Sequence, residues 1–139
     1  MVTQWPVVVM PDPTQLLIDL LSAHPQLPAR LSGKVSSELP PDFPEGLPRL
    51  QVRAVPGAGA RPVKIRVGQT AFDLNSYAVT VDEAEHNGRI VAAIVQSLVG
   101  KSTANGGIVD VEVTEPFPIP DVTTAERWVI PAIIAYRPI

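Results

Sequence analysis

The sequence predicts an α+β fold: a small, mostly antiparallel sheet with two helices packed on one face and proline-rich loops joining them. Three observations predict it. Two stretches have helix-type starts followed by apolar residues at helical spacing. Several short runs alternate apolar and polar residues, the mark of half-buried strands. The third is where proline falls. Of the 16 prolines, eleven lie at or before Pro62 and five at or after Pro116, with none between Val63 and Glu115. Proline breaks helix interiors and removes a ladder donor from strands. The proline-free span is therefore where unbroken helix and central strand can run, and the flanks should hold loops and edges. Those flanks are also rich in Val, Ile, Leu and Trp, which argues against a disordered chain. At 139 residues with 45% apolar side chains, one domain is expected, with residues 1–10 as an N-terminal arm and 11–139 as the body.

The first helix starts at Asp12, an N-cap type, with Pro13 suited to the first helical position. Leu16, Leu17, Leu20 and Leu21 share one face, and Pro25 stops it. Val35 to Leu39 is a candidate short strand within a loop that Pro40, Pro41, Pro44 and Pro48 fragment. Leu50, Val52 and Ala54 alternate with Gln51 and Arg53, a strand. Gly57 to Ala60 reads as a flexible hairpin tip. Val63, Ile65 and Val67 alternate with Lys64 and Arg66, with Gly68 as a bulge or turn before the extended run Phe72 to Val79.

Thr80 and Glu83 form a capping-box pattern for the second helix. Ala84, Gly88, Val91, Ala92, Val95, Leu98 and Val99 make its apolar face, and Gly100 is its stop. At about 28 Å it is long enough to cross a sheet. Gly88 is a place where a strand or a neighbouring subunit could come close. After a polar loop, Lys101 to Gly107, the residues Val109, Val111 and Val113 alternate with Asp110 and Glu112. Pro116, Pro118 and Pro120 stiffen the next loop. The final strand, Trp128 to Tyr136, is apolar on both faces: Trp128, Ile130, Ile134 and Tyr136 on one, Val129 and Ile133 on the other. Two helices cover one face of a small sheet, so the second calls for other cover, for which a partner subunit is a candidate.

The material for catalysis is sparse. There is no cysteine, hence no disulfide framework, thiolate metal site or thiol nucleophile. His24 reads as a helix-end residue complementing the dipole, and His86 as a surface residue of the second helix. Asp82, Glu83 and Glu85 read as first-turn charges rather than a metal or acid–base cluster. Gly57-Ala58-Gly59-Ala60 lacks the Gly-Lys-Ser/Thr ending of a phosphate loop. Lys64 and Arg66 on one strand face, with Arg61 nearby, could meet an acidic partner or a phosphate backbone, although a solvated face explains them at least as well. The formal charge of −3 argues against wrapping nucleic acid. No apolar run approaches the length of a bilayer span, and no targeting segment is visible. Catalytic, cofactor and metal sites are all expected to be absent.

The order of elements resembles a known family. A short amphipathic helix precedes Val35-Ser36-Ser37-Glu38-Leu39-Pro40, then Pro48-Arg49-Leu50-Gln51-Val52. Phe72-Asp73-Leu74-Asn75-Ser76-Tyr77-Ala78 runs into a helix carrying Asp82-Glu83-Ala84 and Ile90-Val91-Ala92-Ala93-Ile94-Val95-Gln96-Ser97-Leu98, and the chain closes on Tyr136-Arg137-Pro138. From Pro11 to Pro138 this resembles the tail terminator proteins of phages with long non-contractile tails, particularly those of actinobacterial hosts. The resemblance implies a virion protein assembled in the host cytoplasm. It implies a homohexameric ring that caps the head-proximal end of the tail tube, stops tube growth and offers a surface to the head connector or neck. DNA would pass through the lumen without specific binding, and no membrane, cofactor or metal would take part. A mildly acidic subunit suits such a conduit. Expected interface residues are Trp5, Phe43, Arg61, Lys64, Arg66, Lys101, Phe117 and Trp128. The rival readings are another neck, tail-completion or tail-tube protein, or a small monomeric binding module.

Overall fold

The computed structural model describes residues 8–56, 61–64 and 67–138, with residues 61–64 described by their backbone alone. Helix α1 spans Pro13–Ala23, followed by a 3-10 turn at Ala29–Leu31. Strands β1 (Val35–Ser36), β2 (Arg49–Ala54), β3 (Arg61–Lys64) and β4 (Val67–Ala78) precede helix α2 (Val81–Gln96). Then come β5 (Ser102–Thr103), β6 (Gly106–Val113), β7 (Phe117–Pro118) and β8 (Glu126–Arg137). The sheet order is β1-β2-β4-β8-β6-β5, with β3 beside β4 and β7 beside β8.

The class is α+β, but the sheet is mixed and strongly curled, which corrects the expected mostly antiparallel one. β1 runs parallel to β2, because the chain returns between them through a long loop rather than a tight hairpin. The long pairs β2–β4, β4–β8 and β6–β8 are antiparallel.

Cross-strand register puts Val52, Leu74 and Ile130 side by side, with Phe72 and Ala132 in the next row on the same face. Leu16, Leu17 and Leu21 of α1 and Val91, Ile94 and Val95 of α2 join them in one buried cluster. The caps that begin the helices match the sequence. Asp12 accepts from the Thr14 and Gln15 amides, and Thr80 Oγ1 accepts from the Glu83 amide at 3.2 Å. The reciprocal half of the capping box is replaced, since the Glu83 carboxylate pairs with Arg30 instead.

Several local expectations are corrected. Helix α2 ends at Gln96, and Val99, expected on its apolar face, is 48% exposed. The polar loop after it holds the β5–β6 hairpin. The Val109–Val113 alternation is broken by a bulge between Ile108 and Asp110, so Ile108 and Val111 share the core side and Val109 points outward. Val67 opens a new strand antiparallel to β3 rather than continuing it. Gly68 lies within β4, where a Cβ would come 2.7 Å from the Tyr136 ring. The glycine makes room for that ring to cross the strand. The run Gly57–Ala60 lies outside the described residues.

Pro131 sits inside β8, where proline is normally excluded. The Thr114 amide donates to its carbonyl one residue past the end of β6, so the missing donor falls at the end of the β6–β8 ladder rather than within it.

Gly88 has room to spare. A Cβ there would lie 3.6 Å from Ile130 Cδ1 and 3.7 Å from the Cβ atoms of Ser76 and Trp128, ordinary contact distances. Glycine in a helix interior costs up to about 1 kcal/mol against alanine. Gly88→Ala should therefore stabilise the fold by about 0.5–1 kcal/mol, read as a higher denaturation midpoint, whereas a leucine would collide with the sheet.

Candidate assembly surface

The sheet face opposite the helices follows from the two-residue period of β2, β4 and β8. Arg49, Tyr77 and Arg127 form one row, Gln51, Asn75 and Val129 the next, and Arg53, Asp73 and Pro131 a third. Side chains link the rows. Arg127 Nε donates to Asn75 Oδ1 at 3.0 Å, and Asn75 Nδ2 donates to Gln51 Oε1 at 2.9 Å. Asn75 is buried, and this relay satisfies both ends of its amide.

The chain covers one end of this face with its own loops. Phe43 packs edge-on against Tyr77 at 4.8 Å between ring centroids, and the Arg127 guanidinium lies 6.0 Å from the same ring. β7 pairs Phe117 with Val129, and Val129 is buried. The other end stays open as a cleft whose walls include Val55, Ala71, Asp73, Glu112, Pro131 and Ile133. The second apolar face expected of the final strand is thus half-closed by this chain and half-free.

Arg49 adds a second unmet demand. Its Nε is buried without a hydrogen-bond partner, and its Nη2 only reaches Ser36 Oγ at 3.5 Å. Burial raises the Tyr77 hydroxyl above its ordinary pKa; Arg127 opposes this, Asp121 reinforces it and Arg53 opposes it. The folded protein therefore holds this proton to higher pH than the unfolded chain. The stability tied to it is complete below about pH 10 and is lost as pH rises through the folded value. Tyr77→Phe should flatten that alkaline decline, measured as denaturation midpoint against pH.

The expected interface residues are dispersed. Phe43 and Phe117 share the face just described. Trp128 lies on the opposite face, half-buried beside Gly88, with Arg89 over its ring at 5.8 Å. Arg89 also bonds Glu85 at 3.1 Å and approaches Glu115 at 3.5 Å. Lys101 is exposed in the turn before β5. Arg61 and Lys64 fall on β3, paired with Gln69 and Val67, while Trp5 and Arg66 lie outside the described residues. Sequence reasoning missed Arg49, Tyr77 and Arg127; the alternation Arg49-Gln51-Arg53 was legible, but nothing local marked it as more than a solvated strand face.

Of the groups weighed for chemistry, Glu83 pairs with Arg30 and Glu85 with Arg89. His24 caps α1 and accepts the Gln26 amide through Nδ1 at 3.0 Å, and His86 is exposed on α2. Among the described residues, no three His, Asp or Glu side chains converge as a metal site would require, and no helix is long and apolar enough to cross a membrane.

No family model matches the chain, and no curated protein does. Five chains of solved structures match. One of them belongs to the "Virion of native gene transfer agent (GTA) particle". The fold is shared with that virion chain. The TM-score is 0.64 at 15% sequence identity, over 89% of this chain and 93% of that one. At this identity the likeness is one of fold, and it runs over nearly the full length of both chains.

Proposed function

We propose that this chain is a structural protein of a phage-like virion and, within that class, a tail terminator. The observation that carries the reading is the fold it shares with a virion chain over nearly the full length of both. The finer assignment rests on the resemblance of its element order to tail terminators of phages with non-contractile tails. On this reading six copies close into a ring at the head-proximal end of the tail tube. The ring blocks further addition of tube subunits and presents its other side to the neck. DNA traverses the lumen without specific contacts, as suits a subunit of formal charge −3. Its work is contact rather than catalysis.

The surface chemistry supports an assembling subunit. A closed ring requires two different patches per subunit that match each other. The open end of the sheet face, with its cleft walled by Val55, Ala71, Pro131 and Ile133, is one patch of the required kind.

Electron microscopy of the purified chain, alone and mixed with tail tubes, tests this. Discrete rings, or rings capping tube ends, are expected. Long tubes would make it a tube subunit. A monomer that never binds tubes at any concentration would favour a small binding module.

A further inference from the structure

The outer edge of β6 has no described strand beside it over Val109–Val113. β5 pairs only with Gly106 and Gly107, and the Gly100–Lys101 backbone satisfies Ile108. Beyond that point β8 is the only described strand beside Val109–Val113, on the inner side. Val109 and the nearby Val99 are 40% and 48% exposed. Next to this edge a groove opens under α2, lined by Arg89, Ala92, Ala93, Gln96, Val113 and Pro116. Exposed edges are templates for strand addition and are normally blunted. Here Asp110 Oδ1 already accepts the Val111 amide at 2.9 Å, which leaves an added strand the remaining edge groups, and Glu112 is exposed beside it. Two carboxylates repel an acidic strand, so an added strand on this edge has to be free of acidic side chains.

The chain carries such a segment. Trp5-Pro6-Val7-Val8-Val9 has no charged residue. Val8 and Val9 are exposed, at 38% and 79%, and pair with no described strand. Met10 is anchored in the core. Pro11 is anchored against Gly106, where a Cβ would meet Pro11 Cγ at 2.8 Å. Five residues in extended form span about 17 Å, the same as the free stretch of β6. Pro6 fits an edge-added strand, because alternate residues bond inward and its missing donor can face outward. β5 pairs with the outer edge beside Gly106 and Gly107, and Pro11 lies against Gly106.

We propose that the outer edge of β6, with the groove under α2, receives residues 5–9 of a second copy of this chain as an added strand. Each copy then gives an arm to one neighbour and takes an arm from another, a heterologous contact that can close into a ring. The inference concerns how copies join; assembly through another surface would sink it and leave the tail role standing.

Two full-length variants test it. Val9→Asp spoils the arm and Val109→Asp spoils the edge, each at an exposed position, so monomer melting should not change. Each variant alone should lose self-association by at least about a hundredfold, because the added charge becomes buried and unpaired. Mixed together they should form a one-to-one dimer and nothing larger by light scattering. The Val109→Asp chain still gives an intact arm, and the Val9→Asp chain still offers an intact edge. A mixture that stays monomeric, variants that assemble like the parent, or a parent that is monomeric at all concentrations would overturn the proposal.

Discussion

Leu74→Ala is expected to cost about 2–5 kcal/mol of folding stability. Leu74 is fully buried in β4, with Val52 of β2 and Ile130 of β8 directly beside it. Its strand is held by ladders on both sides, so the backbone cannot settle into the space a smaller side chain leaves. The upper half of the range is therefore expected. Domains of this kind hold only about 5–15 kcal/mol in total, so one substitution would remove a large share and assembly would fall with it. Val79→Ala is the control: Val79 is 68% exposed, and its loss should stay within about 0.5 kcal/mol. Denaturant midpoints of the two variants check both values.

The second large effect is expected at Gly106. A Cβ there would lie 2.8 Å from the Arg137 carbonyl oxygen and 2.8 Å from Pro11 Cγ. The carbonyl cannot retreat cheaply, because the adjacent Gly107 pairs with Arg137 in the β6–β8 ladder. Gly106→Ala should cost about 1–3 kcal/mol as an overpacking strain. Removing the Pro11 ring with Pro11→Ala should recover part of that loss, since only one of the two collisions disappears. A double-mutant cycle measured by denaturation reads the coupling directly. Because Pro11 fixes where the N-terminal arm leaves the body, Gly106→Ala should weaken self-association beyond its effect on melting.

Elements with local chemistry were legible in the sequence. Asp12 and Pro13 announced α1, Thr80 announced α2, and the facing of β8 was readable from its alternation. Features set by distant contacts were not. The parallel β1–β2 pair depends on where α1 and the 3-10 turn deliver the chain. The bulge at Val109 is invisible because Val109, Val111 and Val113 alternate as a regular strand would. Gly68 reads as punctuation until the Tyr136 ring is seen lying over it. Val99 looks like helix face, yet the helix has already ended at Gln96.

The outer sheet face was legible in half. The second apolar face of β8 called for cover; Val129 is buried beside Phe117 of β7, and Phe43 packs on the adjacent Tyr77 of β4. The Arg49–Tyr77–Arg127 row was hidden, because three strands far apart in sequence build it. Trp128, one of the expected interface residues, lies half-buried with Arg89 over its ring and its Cβ beside Gly88.

The proposed tail terminator role is tested most directly by the length distribution of tails in micrographs of particles assembled without this chain. Tails that run past their normal length and carry no heads are the expected result; tails of normal length joined to heads would contradict it.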